Sequence, residues 1–568
     1  MTASAAHHDA LLFLPLGGTG EIGMNLNLYG HAGKWLMVDL GTTFADETLP
    51  GVDLIVPDPS FIESERENLV GLVLTHAHED HLGAVPYLWP RLRCPVYASR
   101  FAAAVLRRKL ADVALENEVP IIEYAPGETL RLGPFAVTPI SITHSIPESQ
   151  ALAIETSAGT VLHSGDWKLD PGPLVGPNTD ADTLMRHGEA GVLALVCDST
   201  NVFRHGESGS ESAVRDSLRE LLANRPGRIV VTTFASNIAR IETVAKVAEA
   251  LDRHLVLVGR SLWKFAEAAR ESGYLHDMPP PLSERDYGYL PRDKVLLLCT
   301  GCQGETRGAM ARIASGQHSH VTLQGGDVAV FSSKIIPGNE RTLYRLHNLL
   351  ALAGVEVITE KDHFVHVSGH PARDELAQMY QWIRPRIAVP VHGEPRHLVE
   401  HARLARALQV PEAVVLANGD LLQLAPGPAK VLDRVPAGRL AVDGQTLIPI
   451  EGEVLQRRRK LMYNGAALAV LVLDALGNLI EPPRVSLHGV AQGESDELAR
   501  VAVANVAEAV RRLPPRFRAD DERVTEAARR AVRQAVRQVA DRKPVTDVQI
   551  VRLSDGDVRR IEKEEAFV

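Results

Sequence analysis

The chain has 568 residues, of which 45% are apolar and 23% are charged, and its formal net charge is −10. This length predicts several domains with large cores. The acidic balance argues against a globally basic nucleic-acid-binding protein, so any site for a polyanion must be a local groove.

No uncharged apolar stretch approaches the roughly 18 residues of a membrane-spanning helix. Residues 1–14 lack the basic start and the long apolar core of a signal peptide. With no membrane-spanning stretch, no membrane partner is expected. Four cysteines are too few for a disulfide framework in so long a chain, which favours a reducing cytoplasm. Cys299 and Cys302 form a C-x-x-C pair, but without a second pair a redox or zinc role is the less favoured interpretation.

The first motif in chain order is the G-x-G-x-x-G pattern at residues 18–23, which also occurs in dinucleotide-binding folds. Those folds require a helix to begin at the glycines, whereas residues 25–29 alternate polar and apolar side chains. A glycine-rich turn and the strand-like run 35–39 follow, so the segment predicts a β-hairpin. We therefore reject a dinucleotide site and expect the glycines to let a loop pass close under the cluster described next.

The most informative segment is His76-Ala77-His78-Glu79-Asp80-His81, which follows the apolar run 70–74. A buried strand is predicted to end there and to place three imidazoles and a carboxylate on one loop. These groups together suit divalent cations such as zinc or manganese. The alternative, surface histidines on a polar loop, is disfavoured by the specific H-x-H-x-D-H spacing.

Other polar residues also end predicted strands or precede a helix. One such residue is more often a satisfied buried polar group than a ligand, but several in one chain argue for one convergent site. These further candidates are Asp39, His144, Asp166, Asp198, His366, Ser368, Gly369, His370 and His392.

The pattern of predicted strands and helices changes near residue 211. Before that point many short strands are joined by glycine-rich turns, whereas after it buried strands alternate with helices. This alternation predicts an α/β domain with a largely parallel sheet, inserted between ligand-bearing segments. The predicted strands are 228–234, 254–259, 294–301 and 327–333, and the helices include 238–251 and 261–272.

The carboxyl-terminal part is predicted to be a linker, 451–463, and a small α/β domain, 464–568. Strands are expected near 466–474, 478–487 and 545–553, and helices near 495–512 and 521–541. The arginines from Arg523 to Arg537 could touch RNA, but a solvated face is favoured. Because this domain has no catalytic cluster, we expect it to mediate a homodimer or tetramer.

The order of Asp39, the H-x-H-x-D-H segment, His144 and Asp166 along the chain resembles that of the metallo-β-lactamase superfamily. Asp198, His370 and His392 resemble motifs A, B and C of its nucleic-acid-processing β-CASP branch. Within that branch the chain is similar to the ribonuclease J family. The signatures that carry this similarity are residues 17–25, 234–237, 301–305 and 366–370.

The resemblance implies an αββα sandwich, residues 10–210 and 366–450, with a β-CASP α/β domain inserted at 211–365. It covers residues 10–440 well and the carboxyl-terminal domain more loosely. The C-x-x-C cysteines stand where the family usually has threonine or serine, and residues 306–308 depart from its proline–methionine run. Neither departure touches a metal motif.

The resemblance also implies residue roles. The first metal would be held by His76, His78 and His144, the second by Asp80, His81 and His392, with Asp166 bridging. Asp39 would orient ligand histidines, His370 would stabilise the phosphate or protonate the leaving oxygen, and Asp198 would fix a histidine. Candidates for a 5′-phosphate pocket are Ser236, Asn237, His366, Val367, Ser368, Gly369 and His370, with ordinary capping and turn residues as the alternative.

The function implied is a metal-dependent ribonuclease with 5′-to-3′ exonuclease and endonuclease activity on single-stranded RNA. It would prefer 5′-monophosphate ends, use two divalent ions (zinc or manganese, with magnesium possible), and act in mRNA decay and rRNA maturation, with RNA-degradation partners possible. Three alternatives stay open. A DNA-acting β-CASP nuclease is disfavoured by His392, where the Artemis-like branch tends to carry valine. A small-molecule hydrolase is disfavoured because it would not need the insertion. A non-catalytic RNA-binding subunit is disfavoured because such proteins usually lose some metal ligands, whereas here the ligands are intact.

Overall fold

The structure is a computed structural model that describes residues 9–46, 48–336, 338–490 and 495–554. The chain divides into two compact units, one formed by residues 1–43 and 54–440 and the other by residues 44–53 and 441–568.

The first unit contains two large sheets that face each other. The strands of the first sheet, in spatial order, are Lys430–Arg434, Asp420–Ala425, Leu11–Gly17, Leu26–His31, Lys34–Val38, Leu69–Val73, Val96–Ala98 and Ile121–Glu123. The strands of the second sheet are Glu412–Ala413, Ile387–Val391, Ala194–Asp198, Gly159–His163, Gln150–Thr156, Phe135–Ser141 and Leu130–Leu132. The antiparallel pairing of Leu26–His31 with Lys34–Val38 confirms the predicted hairpin.

Alternating burial explains why the two sheets pack. Leu36 and Val38 of the first sheet share a buried cluster with Leu152 and Ile154 of the second. The opposite face of the second sheet packs against helices through a separate buried cluster that includes Leu376. The αββα sandwich predicted from the sequence is therefore confirmed.

The helices of the first unit occupy the outer faces and the insertion. They are Ser60–Ser64, Glu79–Leu82, Val85–Leu92, Arg100–Ala111, Ala181–Ala190, Glu211–Leu222, Ile238–Ala250, Arg260–Glu271, Ala309–Ala314, Glu340–Leu352, Arg373–Ile383 and Pro395–Ala407. Short 3₁₀ turns lie at Arg66–Asn68, Tyr287–Tyr289 and Arg292–Lys294. Further short strands are Thr43–Phe44, Leu54–Pro57, Arg439–Asp443 and Thr446–Pro449.

The predicted insertion forms its own parallel sheet, whose strands are buried as continuous apolar runs. In spatial order they are Leu282–Ser283, His254–Val258, Val295–Cys299, Ile229–Thr232, Val328–Phe331 and Glu356–Ile358. The insertion leaves the sandwich after Ala194–Asp198 and returns before Ile387–Val391. These two strands are parallel neighbours, with Asp198 opposite Val391. The inserted domain therefore begins and ends at the same place in the second sheet.

A buried ion pair ties the insertion together. Arg240 is fully buried and pairs with Glu211 at 2.9 Å. Its guanidinium also donates to the carbonyls of Ser332 and Val365, both at 3.1 Å. Arg240 thus fixes the segment that returns to the sandwich.

The second unit contains the strands Arg484–His488, Ala466–Leu473 and Val545–Arg552, in that spatial order. Two long helices, Ser495–Arg512 and Asp521–Ala540, lie between the last two strands in the chain, with the four-residue helix Pro515–Arg518 between them. The predicted β-β-α-α-β pattern is therefore confirmed. The segment expected to be a linker contains a helix, Glu453–Asn464. Strong helix formers bounded by Gly452 and Gly465 explain this helix. Among the described residues every helix is too short or too polar to cross a membrane.

Candidate metal centre

The carboxyl ends of strands from both sheets of the sandwich meet at one edge. Asp39 follows the strand that ends at Val38, and the H-x-H-x-D-H segment follows the strand that ends at Val73. Asp198 ends a strand of the second sheet. The structure brings these residues together with the other predicted candidates of the sandwich. Two adjoining clusters share Asp166, and Asp39 and the Asp198–His370 pair lie beside them.

The first cluster consists of His76, His78, His144 and Asp166. His78 Nδ1 lies 3.0 Å from His76 Nε2 and 3.1 Å from His144 Nε2. Asp166 Oδ2 lies 4.0 Å from the Nε2 atoms of both His76 and His144. One ligand atom from each residue lies within 4.8 Å of the others, which is close enough for one cation to contact all four.

The second cluster consists of Asp80, His81, His392 and, again, Asp166. Asp166 Oδ2 lies 3.1 Å from His81 Nε2 and 3.7 Å from His392 Nε2. Asp80 Oδ2 lies 3.2 Å from His392 Nε2. Asp166 is therefore the residue that the two clusters share.

Asp198 and His370 form a pair beside these clusters. His370 Nδ1–H donates to Asp198 Oδ2 at 2.7 Å, and His370 Nδ1 lies 3.8 Å from Asp166 Oδ2. Burial alone would lower the pKa of His370, but the negative charges of Asp198 and Asp166 raise it above its ordinary value. The imidazole of His370 is thus held by Asp198 through one nitrogen, leaving Nε2 free.

Asp39 lies behind the first two clusters and contacts their histidines. Its Oδ2 accepts from His81 Nδ1 at 2.7 Å and from the Thr75 hydroxyl at 2.8 Å. Thr75 Oγ1 in turn lies 3.0 Å from His76 Nδ1. These bonds place the proton of each ring on Nδ1 and direct Nε2 toward the centre, as orienting carboxylates do at metal sites.

Thr200 makes the corresponding contacts on the other side, and the sequence did not single it out. Its hydroxyl donates to Asp198 Oδ1 at 2.7 Å and lies 2.9 Å from His392 Nδ1. Because that hydroxyl hydrogen is engaged by Asp198, His392 Nδ1–H donates to Thr200 and His392 Nε2 keeps its lone pair. A threonine two residues after a strand-end aspartate has no distinguishing sequence signal.

Two loops approach the clusters closely. His392, which has a positive φ of 51°, donates its backbone N–H to the carbonyl of Gly18 at 2.7 Å. The glycine loop at residues 18–23 therefore passes beside the metal-candidate residues, as expected. A Cβ on Gly369 would lie 2.7 Å from His144 Cε1, so only glycine fits there.

The electrostatics of the two clusters differ. Burial is the largest cause that lowers the pKa of each histidine in the first cluster, and it brings that of His78 to about 4. Burial alone would also lower the pKa values of His81 and His392, but Asp166 and the neighbouring carboxylates raise both well above the ordinary value. The first cluster therefore offers the lone pairs of neutral imidazoles, whereas the carboxylates of the second cluster favour a positive charge beside them. This donor set fits divalent cations.

The residues predicted to bind a 5′ phosphate lie in two segments. Residues 366–370 lead directly into the site, and Ser368 Oγ accepts from Asn201 Nδ2 at 2.7 Å and from the His370 backbone at 3.2 Å. The side chain of Val367 is buried, which leaves its backbone alone for any ligand contact. Asn201 was not foreseen from the sequence.

Ser236 and Asn237 lie in the inserted domain. The Asn237 side-chain oxygen caps the helix Ile238–Ala250 by accepting from Arg240 N at 2.9 Å. Arg240 also donates to the Val365 carbonyl. Asn237 is therefore joined through Arg240 to Val365, the residue before the 366–370 segment, and its side-chain oxygen is already engaged.

Comparisons with known proteins identify the class of protein that this fold and site define. Domain models match residues 41–192 (Beta-lactamase superfamily domain), 226–350 (Ribonuclease J, beta-CASP domain), 354–414 (Zn-dependent metallo-hydrolase RNA specificity domain) and 453–553 (Ribonuclease J C-terminal domain). The chain is therefore a hydrolytic nuclease of the metallo-β-lactamase fold, with a β-CASP insertion.

Similarity to curated proteins then specifies the family. Ribonuclease J of Sinorhizobium meliloti is 45% identical over 564 residues, covering 97% of this chain and all of that protein. Ribonuclease J of Mycolicibacterium smegmatis is 38% identical, covering 93% and 95%. The chain belongs to the ribonuclease J family. A solved protein of unknown function from Enterococcus faecalis shares the fold, with a TM-score of 0.51, 17% identity and coverage of 73% of this chain and 100% of that one.

The Thr200 hydroxyl provides a direct test of the contacts around His392. In Thr200→Val the His392 Nδ1–H loses its partner, so we expect the free energy of unfolding to fall by about 1–3 kcal/mol. We also expect Mn²⁺ to be retained roughly 10- to 100-fold more weakly. Thr200→Ser should recover most of both losses. Denaturant unfolding and Mn²⁺ titration measure them.

The matched control is Thr359→Val. Thr359 makes the same kind of bond at the surface, where its hydroxyl donates to Asp362 Oδ2 at 2.8 Å. That variant should leave Mn²⁺ retention unchanged. If Thr200→Val binds Mn²⁺ as tightly as the wild type, the hydroxyl does not position His392.

Proposed function

We propose that this nuclease removes nucleotides from the 5′ end of single-stranded RNA, prefers a 5′ monophosphate, and cuts internally at a lower rate. It would serve mRNA decay and rRNA maturation in the cytoplasm, with RNA-degradation partners. Family membership supports RNA hydrolysis. The geometry around residues 366–370 supports the choice of the 5′ end.

The observation that carries the proposal is that one short segment joins the candidate phosphate pocket to the candidate catalytic groups. His370 is bonded to Asp198, and the Gly369 carbonyl accepts from His144 Nδ1. His366 is four residues from His370, which limits their separation to roughly 14 Å. A terminal phosphate held near His366 would therefore place the first phosphodiester near Asp166.

The neighbourhood of His366 suits a phosphate. Burial and then the positive charges of Arg240, Lys168, Lys334 and Arg204 hold the pKa of His366 well below its usual range. Its buried Nδ1 atom has no hydrogen-bond partner. Neutral donors and cations in a partly buried site favour a dianion.

Ser368 has a specific part in this pocket. Its oxygen already accepts two hydrogen bonds, from Asn201 and from the His370 backbone. Its hydroxyl hydrogen is left to donate to a phosphate oxygen. Backbone N–H groups of Val367 and Gly369 and the side chain of Ser236 complete the proposed set.

The proposed metal ligands follow the two clusters. His76, His78 and His144 would hold one cation, Asp80, His81 and His392 the other, and Asp166 both; zinc or manganese suits these donors, and magnesium less so. When bound, a pair of such cations would lower the pKa of a bound water to about 7 and stabilise charge on the attacking and leaving oxygens.

The remaining residues position and transfer protons. Burial would lower the pKa of His370, but Asp198 and Asp166 raise it, which favours the protonated ring whose Nε2–H would face the phosphate or the leaving 3′ oxygen. Asp198 holds His370 Nδ1–H and, through Thr200, orients His392. Asp39 orients His81 directly.

The metal assignment predicts the effect of removing ligands. Elemental analysis should find about two transition-metal ions per chain. Asp80→Ala and His81→Ala should abolish RNA cleavage while circular dichroism shows that the fold is kept. His205→Ala, a change at an exposed histidine of the same unit, should leave activity intact. Full cleavage by chelator-treated protein would contradict the assignment.

The end preference can be measured on RNAs that differ only at their 5′ group. A monophosphorylated RNA should be digested faster than a triphosphorylated one, because the pocket fits one terminal phosphate. Ser368→Ala should slow digestion of the monophosphorylated RNA by roughly 10-fold or more, since a hydrogen bond to a charged group is lost.

Circular RNA supplies the control, because it has no end and reports internal cleavage alone. Ser368→Ala should cut circular RNA nearly as fast as the wild type if His370 is undisturbed. Equal digestion rates for the monophosphorylated and triphosphorylated RNAs would contradict the phosphate pocket but would not affect the metal assignment.

We also propose that the second unit joins chains into a homodimer or tetramer. One face of its central strand is buried, whereas Leu468, Val470 and Val472 on the other face are apolar and half-buried. Such a face suits packing against a second copy. Light scattering should show a smaller species for a chain that stops before Glu451 and for Val470→Glu. An unchanged oligomeric state in both would exclude this surface.

A further inference from the structure

A phenylalanine close to the Asp198–His370 pair is held rigidly and yet exposes its ring. Phe203 is half-exposed, at 50%. The preceding residue, Val202, is buried and donates its N–H to the Ser199 carbonyl at 3.2 Å. The following residue, Arg204, donates to the Asn201 carbonyl at 2.8 Å. The backbone on both sides of Phe203 is therefore fixed, and the ring cannot retreat into the core.

The ring of Phe203 is framed by two side chains of the helix Pro395–Ala407. The guanidinium carbon of Arg396 lies 5.6 Å from the ring centroid, within the range of a cation–π contact. The His397 ring lies against Phe203 at a centroid distance of 5.4 Å and an interplanar angle of 63°. Arg396 Nε also donates to Glu394 at 3.1 Å, which restrains the guanidinium.

This group of side chains is linked to both functional regions described above. Gly393, the residue after His392, packs against His397, because a Cβ on Gly393 would lie 2.9 Å from His397 Cβ. Asn201, two residues before Phe203, donates to Ser368 Oγ at 2.7 Å and to the His370 carbonyl at 3.0 Å. Phe203 is therefore in contact with a neighbour of His392 and is two residues from a side chain that holds the 366–370 segment. The buried Nδ1 atom of His397 has no hydrogen-bond partner.

We propose that Phe203, with the Arg396 guanidinium beside it, is a stacking platform for a nucleobase of the RNA next to the reacting phosphate. Aromatic rings and guanidinium planes are the groups on which proteins stack unpaired bases, without regard to base identity. The inference rests on the proposed function in one respect, namely that the RNA at the site is single-stranded. It assigns a substrate contact to a residue outside both metal-candidate clusters.

Stacking can be measured without cleavage. A single-stranded, 5′-monophosphorylated RNA carrying 2-aminopurine at one of its first positions is bound to the full chain in chelator, which separates binding from catalysis. Stacking on Phe203 quenches 2-aminopurine fluorescence at one position. Phe203→Ala should abolish that quenching and weaken RNA binding by about 5- to 100-fold. Phe203→Trp should preserve both, and Phe203→Leu, which stays apolar but is not aromatic, should lose the quenching.

Tyr289→Ala is the matched control, since Tyr289 is an aromatic residue of the inserted domain that is 91% exposed. It should change neither fluorescence nor affinity. Position-independent fluorescence in the wild type, or full quenching in Phe203→Leu, would overturn the platform. An altered oligomeric state of Phe203→Ala with unchanged RNA binding would assign the ring to a protein contact and equally overturn it. Because 5′-triphosphorylated RNA is compared in parallel, loss of the end preference is scored separately from loss of stacking.

Discussion

Asp166 Oδ2 lies within 4.0 Å of nitrogens from five imidazoles, those of His76, His81, His144, His370 and His392. A buried carboxylate is expensive to desolvate unless positive charge compensates it. The five histidines come from four separate segments, so this compensation requires the loops of both sheets to meet at one edge. The sandwich and the register of its strands bring these loops together. The positive φ values of Asp39 (63°) and His392 (51°) occur at the same place.

Two aspartate–threonine pairs hold the histidines around Asp166 in place. Asp39 with Thr75 acts on His76 and His81, and Asp198 with Thr200 acts on His392. In each pair a hydroxyl donates to the carboxylate and can then accept an imidazole N–H. The carboxylates therefore determine which ring nitrogen is left with a lone pair. The two pairs have this arrangement in common although Asp39 follows a strand of the first sheet and Asp198 ends a strand of the second.

The sequence predicted those parts of the fold and site whose chemistry shows in the residue pattern. H-x-H-x-D-H, strand-end aspartates and the alternating strands of the insertion all follow from composition and spacing. Thr200, Asn201 and Phe203 could not be predicted, because threonine, asparagine and phenylalanine occur in most loops and only the fold gives these three their neighbours. The helix Glu453–Asn464 was missed because its arginine cluster resembles an exposed linker, although Leu455 is buried.

The placement of the insertion has a consequence for the order in which the protein becomes active. Asp80 Oδ2 and His392 Nε2 lie 3.2 Å apart although the two residues are 312 positions apart in the chain. Chains are synthesised and fold from the amino terminus, so the first cluster can gather its ligands while the second still lacks one. The second cluster is complete only after the whole inserted domain has emerged from the ribosome. A nuclease made beside its own messenger RNA thus spends most of its synthesis without a finished site.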